Sequence, residues 1–442
     1  MKLQALTPID MELRSMAPAE SASVSGAVTG LKASLYMRIV FTGMLLLFLL
    51  CTFASPLGYI LPATFAGLLC IGMWRHAGVI LGPVIALGLA LMWILYRASV
   101  PEGADFSDYE TYEKLVWLKA CLQAVCYVPV VIAGFRLSLP DAQNLMKGFT
   151  WGALFLAGLA LFEALTQARV YMALAEALGM PIRPDLAVVK ISLMSYGLMM
   201  IYWPMMLYFN QTGANLPRVL LTASVAIAPF FTGANAPTLA LVASVIIFFV
   251  ARRWSTLRGV GIEKYIAIMV YGVILGFPLL IKFAHEQGWL IALKGNLPPS
   301  WLARVEIWEY AANRLFEKPL MGWGFDTSRM FSPHIPLHPH NMPVQAALEL
   351  GYVGLVLVAV LWLVSIRRVG KAPDAQIISP DHLLWTDPKP YMLATMTAFF
   401  VFAFLSFGLW QEWFLALAAM SVFIALMAQK ASLQVIMYQN KL

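Results

Sequence analysis

The chain has 442 residues, 61% of them hydrophobic and 12% charged, with a mean hydropathy of +0.76. That balance excludes a soluble globular domain. The net charge of +7 does not point to nucleic acid, because Lys and Arg are spread over short loops and no basic run is interleaved with polar residues.

Residues 1–35 are rich in Ser, Ala and Pro with scattered charge and read as a mobile tail, too long for the n-region of a cleaved signal. The first apolar run is therefore a retained helix. Runs long enough, or nearly so, to cross roughly 30 Å of hydrocarbon follow at about 36–54, 57–73, 77–96, 115–135, 148–168, 187–209, 216–232, 235–251, 262–283, 341–366, 390–408 and 412–428. Residues 429–442 read as a second tail. The fold class predicted is an all-α polytopic membrane protein of about twelve transmembrane helices. The four cysteines (Cys51, Cys70, Cys121 and Cys126) lie inside apolar runs and read as small buried hydrophobes.

The stretch 216–251 is apolar almost throughout. As one helix it would be about 54 Å long at 1.5 Å per residue, far more than a bilayer needs. Two helices meeting at Thr232-Gly233-Ala234-Asn235-Ala236-Pro237 fit better. With the N-terminus inside, that division puts Arg252, Arg253, Arg258 and Lys264 inside, and the acidic loop bearing Glu102, Asp105, Asp108, Glu110 and Glu113 outside. Both tails then lie inside, and residues 284–340 form one large outside element. Within it Trp301, Leu302, Val305, Trp308, Ala312 and Leu315 have helical spacing. They predict an amphipathic helix at the membrane surface with its aromatic rings at headgroup level, Ser300 as its N-cap and Lys318-Pro319 at its close.

Titratable groups gather in this element. His340-Asn341 enters the helix beginning near Met342-Pro343, and an interfacial histidine can take a proton from a hydroxyl near neutral pH. The plainer alternative is a histidine that caps the helix or bonds a loop carbonyl. Arg304 stands one turn before Trp308; its guanidinium suits a phosphate, or snorkels to headgroups. Lys190 sits just inside a spanning run, with Arg183 before it, where a cation is costly and is a functional candidate by default. His334, His338 and His340 are interleaved by Pro333, Pro336 and Pro339 and have no carboxylate within the run, a weak pattern for zinc. No metal or other cofactor is expected.

The runs Leu302-Ala303-Arg304-Val305-Glu306-Ile307-Trp308, Pro319-Leu320-Met321-Gly322-Trp323-Gly324, Leu337-His338-Pro339-His340-Asn341 and Leu348-Glu349-Leu350-Gly351, with Gly354 beyond, occur in an order that resembles the O-antigen ligase and polymerase superfamily, whose architecture is similar to that of the GT-C glycosyltransferases. The resemblance implies metal-independent transfer of a glycan from undecaprenyl pyrophosphate to an acceptor, at the periplasmic face of the bacterial inner membrane. It implies His340 as the catalytic residue and Arg304 with Lys190 or Arg183 on the pyrophosphate, with Asn341, His338 and Trp308 in support. The acceptor implied first is lipid A-core; a second lipid-linked glycan (a polymerase) and a protein hydroxyl are the alternatives. The chain departs from the pattern in carrying Ala234-Asn235 where many members have Ser-Arg, and lysine at 190 where arginine is expected. A transporter or flippase would need charges deep in several helices and related halves; only Lys119, Glu163 and Lys190 are candidates, and no repeat is visible.

Overall fold

The computed structural model describes residues 35–98, 115–258, 261–369 and 387–439. The expectations placed on the first 34 residues and on the acidic loop from Glu102 to Glu113 lie outside them. Among the described residues, ten helices are long and apolar enough to cross a membrane, and two shorter apolar helices accompany them. In chain order these are α1 Leu35–Ala54, the short α2 Pro56–Leu69, α3 Ile71–Tyr96, α4 Val116–Arg136 and α5 Leu139–Thr166. After a surface helix α6 Arg169–Ala177 come α7 Pro184–Ser192 and α8 Met194–Thr212, one span bent at Leu193. Then follow α9 Asn215–Thr232, α10 Asn235–Arg258 and α11 Ile262–Glu286. The segment after α11 supplies α12 Trp289–Lys294 and α13 Pro299–Leu315, and the chain continues as α14 Met342–Val369, the short α15 Lys389–Leu405 and α16 Glu412–Gln439. Helices satisfy their own backbone groups in hydrocarbon, which is why apolar runs of this length adopt them.

The apolar run 216–251 is broken, as expected, at Gly233, whose φ of +69° closes α9. α9 and α10 are joined by this tight turn and pack on each other, so the two helices run antiparallel. Two expectations need correction. The segment read as a C-terminal tail continues α16 to Gln439, because no Gly or Pro interrupts it and Ala431, Leu433 and Ile436 are buried. Ser300 is not the cap of α13: Pro298 takes that position with Pro299 at N1, leaving Ser300 inside the first turn.

α16 is the hub, with 72% of its spanning window buried, followed by the α7–α8 span at 61%, against 22–39% for α1, α3, α4, α5, α9, α10 and α11. Helices in lipid gain little from hiding apolar surface and associate where small residues allow close approach. Gly67 of α2 shows this: a Cβ there would lie 1.8 Å from the Cys126 carbonyl oxygen of α4. Two of the three interior charges have structural duties. Glu163, fully buried, accepts the Val170 and Tyr171 amides at 2.8 and 2.9 Å and so caps α6, and Lys119 pairs with Glu412.

Candidate active site

The His340 loop is fixed by the helix that follows it. Asn341 is the N-cap of α14: its Oδ1 accepts the Val344 amide at 2.9 Å, while its Nδ2 donates to the Phe404 carbonyl of α15 at 3.0 Å. The Asn341 side chain is fully buried. Just before it, His340 holds a φ of +52°. Its backbone N–H donates to His338 Nδ1 at 3.3 Å, and the two imidazoles meet edge to face with centroids 4.1 Å apart. His338 Nε2 lies 3.0 Å from the side-chain amide nitrogen of Gln411.

His340 Nδ1 lies 2.8 Å from the Ser406 carbonyl. A carbonyl can only accept, so Nδ1 carries the proton and Nε2 keeps a free lone pair. Burial lowers the His340 pKa from its ordinary value; the bond to Ser406 acts in the opposite sense, and the Arg304 charge lowers it further. His338 is pushed down to about 3, first by burial and then by His340. Both imidazoles are therefore neutral at physiological pH.

Arg304 comes to this site from α13. Its charge is felt by His340, and the Tyr196 hydroxyl of α8 lies 3.4 Å from the Oγ of Ser406, whose carbonyl His340 meets. The guanidinium lies 5.4 Å from the Trp301 ring, Nη1 reaches the Ser300 carbonyl at 3.4 Å, and the buried Nε has no acceptor among the described residues. Trp308 departs from its expected place at headgroup level. It is 6% exposed, packs edge-on to Phe277, and donates its indole N–H to the Pro339 carbonyl at 2.8 Å. Burial of the whole ring gains more than a headgroup contact, and the bond ties α13 to the histidine loop.

The glycine turn and the start of α14 form one piece. At Gly351 (φ +68°, ψ −175°) α14 leaves helical geometry. The carbonyls of Leu348 and Glu349 accept the Trp323 and Gly324 amides at 2.8 Å each, and the Pro319 carbonyl accepts the Tyr352 amide at 2.8 Å. Gly322 and Gly351 meet backbone to backbone: a Cβ on Gly351 would lie 2.1 Å from the Leu320 carbonyl oxygen. Beneath the turn, the fully buried Glu349 carboxylate accepts the Asp326 amide at 3.0 Å, the Ser328 amide at 3.4 Å, Gln345 Nε2 at 3.0 Å and the Trp410 indole. Gln345 in turn accepts the Leu409 amide at 2.7 Å. One side chain thus joins the turn, α14 and the α15–α16 loop.

Not every candidate converges. Arg183 is exposed and holds Asp185 through two bonds, at 3.1 and 2.7 Å. Lys190 is exposed in the last turn of α7, six residues before Tyr196. His334 stacks on Tyr310 with centroids 4.2 Å apart, apart from the His338–His340 pair. Tyr196, Ser406, Gln411 and the joining role of Glu349 were not foreseen. Only Glu349 carried a signal, as a carboxylate just inside an apolar helix.

Fold and site together define a polytopic helical membrane protein with a neutral histidine at one end of its bundle and, beside it, an arginine whose buried Nε has no acceptor among the described residues. Residues 219–359, from α9 to the middle of α14, match the family model described as O-antigen ligase. Curated relatives agree. A Rickettsia conorii protein provisionally named polysaccharide ligase is 26% identical over 167 residues, covering 35% of this chain and 38% of that protein. Provisionally named polysaccharide ligases of Rickettsia prowazekii and Rickettsia typhi are 26% identical over 184 residues and 22% over 227, covering 38% and 48% of this chain and 42% and 52% of those proteins. The chain therefore matches about half or less of the length of these relatives.

Proposed function

We propose that this protein is a membrane glycosyltransferase that moves a glycan from undecaprenyl pyrophosphate to a hydroxyl of lipid A-core, at the periplasmic face of the bacterial inner membrane and without a metal ion. The observation that carries the reading is the neutral His340, its proton pinned at Nδ1 by the Ser406 carbonyl and Nε2 open, beside the Arg304 guanidinium. His340 Nε2 takes the acceptor O–H proton as that oxygen attacks the anomeric carbon. The bond from that carbon to the pyrophosphate oxygen breaks, and undecaprenyl pyrophosphate leaves with the electron pair. Cations must receive that charge. Arg304 fits it with two parallel N–H groups and Lys190 as a point charge; Arg183 would first have to release Asp185. His338 and Asn341 hold the His340 loop, and Trp308 holds α13 against it.

The test is transfer from a synthetic undecaprenyl-pyrophosphate glycan in detergent. His340→Ala is expected to lose roughly 10²–10⁴-fold in rate while donor binding persists. His338→Ala and His334→Ala should be milder, and the wild type should keep its rate in EDTA. Undiminished transfer by His340→Ala would sink the base assignment. Chelator-sensitive activity lost equally in all three variants would mean a metal site instead. Supplying lipid A-core or a second lipid-linked glycan as acceptor separates ligase from polymerase.

A further inference from the structure

A cavity of about 490 Å³ lies between α3, α4, α14, α15 and α16, running from Met342, Leu409 and Trp410 near the His340 loop to Arg368 at the far end of α14. Its walls are apolar for most of their height: Leu87 and Leu91 of α3, Leu357 and Leu361 of α14, Ala418 and Val422 of α16. Volumes of this size hold small ligands or single chains. One end is different. Gln429 of α16, Lys389 at the start of α15 and Arg368 near the end of α14 all line it. Gln429 is 4% exposed, and its Nε2 has no acceptor among the described residues. Arg368 is held in place by the Val79 carbonyl at 3.0 Å and the Phe135 ring at 5.0 Å.

We propose that this cavity binds one anionic glycerophospholipid, its acyl chain in the apolar volume and its phosphate and ester oxygens against Gln429, Lys389 and Arg368. Lys389 and Arg368 bring positive charge to this end and Gln429 brings an N–H without an acceptor among the described residues, so together they favour a group rich in acceptors and negative charge. A buried amide N–H without an acceptor is costly, and an ester or phosphate oxygen removes that cost. The apolar length above it excludes a free water-soluble anion as the natural occupant. The polar end of this cavity is distinct from the proposed donor site. Arg368 lies 17 residues beyond the break at Gly351, and Met342 before that break adjoins the His340 loop, so at least about 25 Å of helix separates the two ends. The bound lipid belongs to the leaflet opposite His340, and the inference does not rest on glycan transfer.

The test is the phospholipid retained by protein purified in mild detergent, quantified by phosphorus assay and mass spectrometry. Wild type is expected to retain a stoichiometric anionic phospholipid. Gln429→Leu and Lys389→Met should each weaken retention roughly tenfold, as loss of one charged or buried contact does. Val422→Trp, which fills the apolar volume without touching the polar end, should also expel the lipid; if it does not fold, Gln429→Leu carries the test. Stripped of lipid, Gln429→Leu should be at least as stable as wild type, because it removes an unsatisfied donor, whereas a merely structural glutamine would leave the variant weaker with or without lipid. Phosphatidylglycerol should raise the melting temperature of stripped wild type, and phosphatidylcholine or glycerol phosphate should not. Wild type retaining no phospholipid would mean that water alone fills the site and would overturn the proposal. So would equal stabilisation by glycerol phosphate or by phosphatidylcholine, or unchanged retention in both polar variants.

Discussion

A general base must be neutral before it can act, and His340 is kept so first by burial and second by the Arg304 charge. The rate should therefore rise with pH through a value below the ordinary imidazole pKa and then level off. Arg304→Ala removes one of the two lowering influences, so the acid limb of its kcat/KM profile should move to higher pH, in addition to a loss of donor use. Arg304→Lys, which keeps the charge but not the fork, should leave the limb near its wild-type place and recover only part of the rate. An unmoved limb in Arg304→Ala would show that the guanidinium does not act on His340. At this scale the sequence yields the side chains with a recognisable neighbour: His340 before its asparagine, and Arg304 one turn before Trp308. It conceals Ser406, which acts through a backbone carbonyl that any residue type supplies. It conceals Tyr196 because a lone tyrosine in an apolar helix looks like core.

At the scale of elements, the break in α14 decides the shape of the site. The turn from Pro319 to Gly324 lies over the opened helix and takes up carbonyls that a regular helix would have kept. Gly351 is the position with least freedom, with a positive φ and a carbonyl oxygen where a Cβ would stand. Gly351→Ala should cost about 2–5 kcal/mol by adding backbone strain to overpacking. The control is Gly276→Ala in α11, where nothing lies within 4 Å of the added Cβ and the change should be neutral or slightly stabilising. Thermal unfolding of both variants in detergent checks this, and equal midpoints would contradict it. The individual helices were legible because apolar length and the Gly/Pro punctuation carry them. The joining of turn to helix was not, since the motif glycines disclose unusual backbone without disclosing what approaches it. Trp308 was misplaced for a similar reason: helical spacing identifies an apolar face but not whether lipid or protein covers it.

For the whole molecule, the pairing of α9 with α10 fixes the sidedness of everything after it. A reporter fused near Gln287 should read as periplasmic and one near Thr256 as cytoplasmic, following the basic residues that close α10 and open α11. Cytoplasmic readout at Gln287 would put His340 on the wrong side of the membrane for a donor displayed outside. The twelve apolar runs were legible in hydropathy, although two of them, α2 and α15, form helices shorter than the other ten. The burial of α16 at the centre was not, because lipid-facing and protein-facing helices are equally apolar. The stitching of the outer element has a kinetic consequence. Its glycine turn is bonded into a spanning helix, its Trp308 is bonded to the histidine loop, and a buried carboxylate binds both to the α15–α16 connection. Such a piece is ill suited to swing open and shut as a lid. Under the function proposed above, donor and acceptor would instead reach a standing cleft from its sides, and turnover would follow the supply and release of two lipids diffusing in the membrane plane rather than any gating step of the protein.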